Sequence, residues 1–248
     1  MQKKRTDRNI WTLQIMIKEK NILIIGGSSG IGLALAEILS PLNSVYIASR
    51  SSESLTDLKA THIPYDATTQ NLEISSLPDI IDGFVYCPGS INLRPFKGLS
   101  SEAFEKDFQI NVIGAINSLK SILSNLSNSG NASVVFFSTV AVQTGMPFHS
   151  SVASSKGAIE GLTRSLAAEF APKIRVNAIA PSLVDTPLAS KFLNNETKLE
   201  KANERHPLGR IGSAKEIAQA AAFLLGPESS WMTGKVLQLD GGIGNLKT

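Results

Sequence analysis

Between residues 21 and 39 a short apolar run, Asn21-Ile22-Leu23-Ile24-Ile25, breaks into Gly26-Gly27-Ser28-Ser29-Gly30-Ile31-Gly32 and then into a helical pattern that ends at Leu39. A continuous apolar run of this length suits a strand buried on both faces of a parallel sheet. The Gly-x-x-x-Gly-x-Gly turn lacks Cβ atoms where the backbone must approach a ligand closely. The helix that follows presents unpaired N–H groups and the positive end of its dipole, which favours a phosphate. The spacing therefore predicts a strand–turn–helix unit built around a pyrophosphate, with Gly26, Ser28, Ser29, Gly30, Ile31 and Gly32 as its contacts.

The same alternation continues to the C-terminus. Strands are expected at Val45–Ala48, His62–Tyr65, Gly83–Cys87, Ser133–Phe137, Arg175–Ile179 and Lys235–Leu239. Helices are expected over Glu102–Leu126, Val152–Phe170 and Ala214–Leu225. This βα order predicts an α/β fold: one Rossmann-type, doubly wound parallel sheet with helices on both faces. A length of 248 residues fits a single such domain.

The formal charge of +3 lies within the first ten residues, where Lys3, Lys4, Arg5 and Arg8 outnumber Asp7. The rest of the chain is neutral overall and predicts no nucleic-acid partner. The basic start precedes Ile10–Ile17, but Lys18-Glu19-Lys20 follows where an export signal needs small residues. Residues 1–15 are read as an extension, with the domain spanning 16–248. The single cysteine, Cys87, cannot form an internal disulfide, which agrees with a cytoplasmic setting. No apolar run reaches the roughly 18 residues of a membrane span, and no metal-ligand cluster is evident.

The residue ending the second strand chooses between nicotinamide cofactors. An acidic residue there would hold the adenosine ribose and repel a 2′-phosphate. Here Ser49-Arg50-Ser51 offers space and a bidentate cation, which favours NADP(H) while leaving NAD(H) possible. Asp66, after the third strand, is a candidate for the adenine amino group or a turn residue.

Together with the glycine turn, three further stretches resemble the short-chain dehydrogenase/reductase family, nearest its 3-oxoacyl-carrier-protein-reductase-like group. They are Arg175 to Pro187, Pro207-Leu208-Gly209-Arg210-Ile211-Gly212, and Leu239-Asp240-Gly241-Gly242. The resemblance covers nearly everything after residue 18. It implies a small carbonyl or alcohol substrate and a homo-oligomer, most commonly a tetramer. It also implies cofactor contacts at Gly89, Pro181, Val184 and Thr186. The family's catalytic asparagine, serine, tyrosine and lysine are matched by Asn111, Thr139, Val152 and Lys156. In relatives the lysine also holds the nicotinamide ribose.

The tyrosine is thus replaced. Only Tyr46, Tyr65 and Tyr86 occur in the chain, and none lies near that position. Valine carries no transferable proton. Losing a positioned general acid costs about 10²–10⁴-fold in rate. Two readings follow: an oxidoreductase with a rearranged proton donor, or a weakly active or inactive NADP(H)-binding sensor or partner subunit. His149 is a possible substitute donor, and His206 and His62 are weaker ones. Cys87 is expected to be an apolar pocket liner. The segment from Leu188 to His206 is expected to cover the substrate, and its mixed polarity names no substrate class.

Overall fold

The computed structural model describes residues 17–247. The extension proposed for residues 1–15 lies outside the described residues. Along the chain, β1 (Asn21–Ile25) leads into α1 (Gly30–Leu39), β2 (Ser44–Ser49), β3 (Ala60–Pro64) and β4 (Gly83–Tyr86). Next come α2 (Ser101–Phe108), a π-helical turn (Gln109–Ile113), α3 (Gly114–Ser121), α4 (Leu123–Ser129) and β5 (Ala132–Phe137). A single turn, α5 (Ala141–Thr144), precedes the long α6 (Ser150–Phe170) and β6 (Ile174–Pro181). The remainder is β7 (Val184–Asp185), α7 (Ser190–Leu193), α8 (Glu196–Glu204), β8 (Gly212–Ser213), α9 (Ala214–Leu225) and β9 (Val236–Leu239).

Among the described residues, seven parallel strands form one sheet in the order β3-β2-β1-β4-β5-β6-β9. The order reverses at β1, so the crevice between the C-terminal ends of β1 and β4 is the topological switch point where ligands bind in such sheets. The central strands β1 and β4 are almost wholly buried because both faces of the sheet are covered. Leu23 and Ile25 enter the core layer that holds α6, while Ile22 and Ile24 enter the layer of α1 and α9. Ile22, Leu23 and Ile24 are each 0% exposed. Burial of that kind is worth about 1.5–3 kcal/mol per side chain.

The helix expected over 102–126 is not continuous. Tyr86 Oη, from β4, donates to the carbonyl of Ile110 at 2.6 Å, removing that acceptor from the helical ladder. The chain accommodates this with the π turn, a common cause of bends in helices. Ile122 then leaves helical geometry (φ −116°, ψ 11°) and separates α3 from α4.

The Arg175–Asn177 part of the family-like stretch ties the sheet to its neighbours. The buried Arg175 guanidinium donates to the carbonyls of Leu224 and Gly226 at the end of α9, at 3.0 and 3.2 Å. It also bonds Ser229 through its carbonyl and hydroxyl. A cation at a helix C-terminus satisfies carbonyls with no helical partner and complements the dipole. Asn177 fixes the start of β9, donating to the Met232 carbonyl and accepting from Lys235 N–H. At the other end of α9, Ser213 and Glu216 form a reciprocal capping box.

Candidate active site

Two adjoining cavities open at the C-terminal ends of the strands. The first, about 420 Å³, is lined by the glycine turn, the end of β2 and the segment after β3. Gly26 and Gly30 take positive φ values of 75° and 53°. A Cβ at Gly32 would strike the Gly26 carbonyl oxygen, so the turn closes only without side chains there. Ser29 stands at the N-cap of α1, but no side chain caps that end. Its N–H groups remain available for a phosphate.

Ser49 is buried and gives its hydroxyl to the Ser51 carbonyl at 2.8 Å. Arg50 is exposed at the cavity edge. Asp66 uses Oδ1 to accept from the Thr68 N–H at 2.9 Å and its hydroxyl at 2.6 Å. These bonds hold its carboxyl below the usual carboxylate range and make it a turn residue that also lines the cavity. The fit to a dinucleotide is good: a Cβ-free turn, an uncapped helix end, a cation at the rim, and no carboxylate on β2.

The second cavity, about 450 Å³, is lined by Thr139, Val152, Lys156, Pro181, Val184 and residues of the α7–α8 region, among others. Ile31, Cys87, Gly89, Thr186 and Leu188 line both cavities, so the two form one crevice. Lys156 is 7% exposed and donates through Nζ to the Phe137 carbonyl at 2.9 Å. Burial pushes it down to about 8, against the opposing pulls of Cys87 and Asp107. Burial pushes the Cys87 thiol up to about 12, so it is a neutral liner rather than a thiolate.

Val152 is buried one helical turn before Lys156 and lines the same cavity. No tyrosine lines it. Tyr65 is buried against Ser118, Tyr86 is spent on Ile110, and Tyr46 packs on the core. At the end of β5, Ser138 and Thr139 both line the cavity, but their hydroxyls are differently committed. Ser138 turns its hydroxyl to Glu160 at 2.8 Å. Thr139 Oγ1 has only a long 3.4 Å contact from Ala141 N–H, which leaves it available to a ligand.

Asn111 does not line the cavity. It lies fully buried in the π turn, donating through Nδ2 to Ser90 and Ser155 hydroxyls at 3.0 Å each. Gly89 separates it from the crevice: a Cβ built there would meet Asn111 Oδ1 at 3.2 Å and Lys156 Nζ at 3.3 Å. The sequence reading missed the rest of this network. Ser90 and Ser151 both donate to the buried Asp107 carboxylate, at 2.6 and 2.5 Å. The network braces Asn111 and the N-terminal half of α6, and no motif spacing announces it.

The histidines separate clearly. His62 bonds Ser49 beside the first cavity. His149 lines the second and donates through Nδ1 to the Pro147 carbonyl at 2.7 Å. It follows Phe148, a non-glycine residue at φ 69°. His206, expected to be a weaker donor than His149, also lines that cavity. Its Nδ1 donates to Ala202 at 2.7 Å, leaving Nε2 of the neutral ring to accept from Ser182 at 2.9 Å. Ser182 and His206 thus form a hydrogen-bonded pair in the wall of the cavity.

Among the described residues, no helix is long and apolar enough to cross a membrane, and no group of three metal-binding side chains occurs.

Residues 65–244 match the family model described as enoyl-(acyl carrier protein) reductase. A short-chain dehydrogenase/reductase of Botryotinia fuckeliana is 33% identical, covering 90% of this chain and 96% of that protein. A 3-oxoacyl-[acyl-carrier-protein] reductase of Thermotoga maritima is 32% identical, covering 92% and 98%. The ligand-free aldohexose dehydrogenase of Thermoplasma acidophilum superposes with a TM-score of 0.84 at 28% identity, covering 93% and 97%. With its parallel sheet, its glycine turn at the switch point and these relatives, the chain belongs to the short-chain dehydrogenase/reductase family of oxidoreductases.

Proposed function

We infer that the protein is an NADP(H)-dependent oxidoreductase that interconverts a carbonyl and an alcohol, with a proton donor other than a phenol. The observation that carries this reading is the continuous crevice: a phosphate-ready turn at one end, Lys156 and Thr139 at the other, and Val152 between α6 and the substrate space. When bound, the nicotinamide supplies or accepts hydride. The Gly26–Gly32 turn and the start of α1 would hold its pyrophosphate, with Ser49 and Arg50 at the 2′-phosphate and Asp66 at the adenine edge. Gly89, Pro181, Val184 and Thr186 would border the nicotinamide.

Lys156 would bind the nicotinamide ribose and set a positive potential beside the carbonyl oxygen. Thr139 would donate a hydrogen bond to that oxygen, a contact that strengthens as alkoxide charge develops. Asn111, set back behind Gly89, would position Lys156 and Ser155 rather than touch substrate.

Two groups in the cavity can deliver the proton that a valine cannot. The His206 imidazolium can pass Nε2–H to Ser182 Oγ while Ser182 gives its own proton to the alkoxide. His149 can act directly through Nε2. Imidazole is the side chain most often used for proton transfer in catalysis. Comparing NADPH oxidation by Ser182→Ala and His149→Gln with the native protein tests them. Loss of turnover in one variant with unchanged NADPH affinity identifies the donor. Full activity in both rejects both donors. The buried apolar Val152 favours the second reading, a cofactor-binding subunit with little turnover, only if the native protein binds NADPH and reduces no carbonyl.

A further inference from the structure

The wall of the second cavity formed by α7 and α8 is cationic. Lys191, Lys198, Lys201 and Arg205 line it, and no Asp or Glu does so among the described residues. The body of the chain is neutral overall, so this is a local segregation of charge rather than a basic surface.

The segregation runs along one helix. On α8 and its C-cap, Lys198, Lys201, Ala202 and Arg205 follow the i, i+3, i+4, i+7 spacing of a single face, and all four line the cavity. Glu196, Glu200 and Glu204 repeat at i, i+4 along a different stripe, and none of them lines it. A helix placed for its own stability would set Glu four residues before Lys or Arg. Here the charged i, i+4 pairs are Glu196–Glu200, Glu200–Glu204 and Lys201–Arg205, all of like charge and therefore unfavourable, and the one opposite pair at i, i+3, Lys201–Glu204, forms no ion pair. Lys198, Lys201 and Arg205 are exposed at the rim of the cavity, and this sorting offers the helix itself no ion-pair support. A helix that faces an anion gains from it.

The four cations are also differently committed. Lys191 Nζ reaches across to the Ile91 carbonyl at 2.8 Å and ties α7 to the loop after β4. Lys198 Nζ bonds Asn194 Oδ1 at 2.8 Å and Lys191 O at 3.3 Å. Lys201 and Arg205 have no hydrogen bond or ion pair from their side chains among the described residues. Leu93, Met146, Val152 and Phe192 supply apolar wall in the same cavity. Such a space takes an apolar body with a charged end.

We propose that the substrate is a carbonyl or alcohol compound carrying an anionic group, a carboxylate or a phosphate ester, held by Lys201 and Arg205 of the α8 wall. The proposal rests on the oxidoreductase reading for the carbonyl, while the anion site stands on the α8 charges. Electrostatic capture by such a wall raises encounter rates and rejects neutral or cationic analogues.

The test uses the full chain, saturated with NADP+ for binding so that no reduction occurs and supplied with NADPH for turnover, and three probes: 4-oxopentanoate, its methyl ester, and 4-oxopentyl phosphate. Dissociation constants come from calorimetry, and NADPH oxidation is followed separately. At least one anion is expected to bind about tenfold or more tighter than the ester, a preference that weakens as salt rises. Replacing Lys201→Gln together with Arg205→Gln should remove that preference without changing NADPH affinity. Whichever anion binds tighter identifies carboxylate or phosphate as the preferred group. Equal binding of acid and ester, no binding of either anion up to about 10 mM, or an unchanged preference in the double variant would overturn the proposal. Selective anion binding without NADPH oxidation would contradict only the oxidoreductase reading. Equal turnover of ester and anions would contradict only the anion site.

Discussion

Val152 and Lys156 lie one helical turn apart on α6, and both line the cavity beside Thr139. The family resemblance reads that pair as a tyrosine and a lysine; here the first is a valine without a transferable proton, and Lys156 Nζ bonds the Phe137 carbonyl. Restoring the phenol with Val152→Tyr is expected to raise carbonyl reduction, by up to about 10²–10⁴-fold if no other donor acts. The nearby Lys156 charge would lower the new phenol's pKa. NADPH oxidation by both proteins with the same ketones checks this. An unchanged rate would mean that a resident donor already suffices or that the phenol does not fit.

Cofactor choice turns on Arg50. Arg50→Ala should weaken NADPH binding by about 10- to 100-fold, the range expected for a lost charge-assisted contact, and leave NADH binding nearly unchanged. Fluorescence titration with each cofactor measures both. Equal affinity of the native protein for the two cofactors would remove the basis for NADP(H) preference.

Burial of Lys156 also leaves a pH signature. Its folded-state value, about 8, lies below the ordinary lysine value of 10.5. The unfolded chain therefore binds more protons between these limits, so this residue makes stability rise with pH across about 8 to 10.5. The charged, cofactor-free protein carries a penalty of up to about 3 kcal/mol below pH 8, by order of magnitude. Lys156→Met should remove that increment, seen as a smaller rise in melting temperature from pH 7.5 to 10 than in the native protein. Parallel melting curves would contradict the assignment of a strained buried cation.

The homo-oligomer expected from the family resemblance is a proposal with a direct check. Trp231 is 99% exposed, and Ile113 and Leu246 are also well exposed in the single chain. Light scattering is expected to give a tetramer's mass. A monomer at micromolar concentration would contradict it.

Much of the fold was legible because its signals are local. The β1 run, the glycine turn and the helical start lie within one stretch, and their periodicities agree with the strands and helices that form. The break in the helix around Asn111 was not legible, because its cause, Tyr86, comes from a different strand. The Ser90–Asp107–Ser151 network and the Ser182–His206 pair were hidden for the same reason: tertiary packing joins residues distant in sequence. The α8 stripe was present in the sequence at helical spacing. Reading its polarity as a mixture concealed it, because composition averages charges that the helix separates. At the reacting end, the four-residue spacing of Val152 and Lys156 predicted one helical face, and both side chains line the same cavity.

The most direct test of the central reading is NADPH oxidation by the native protein across simple ketones and anionic oxo compounds, alongside Lys156→Ala. The account predicts measurable, carbonyl-dependent oxidation by the native protein and its loss in the variant. Tight NADPH binding with no turnover on any carbonyl, or turnover that survives the loss of Lys156, would contradict it.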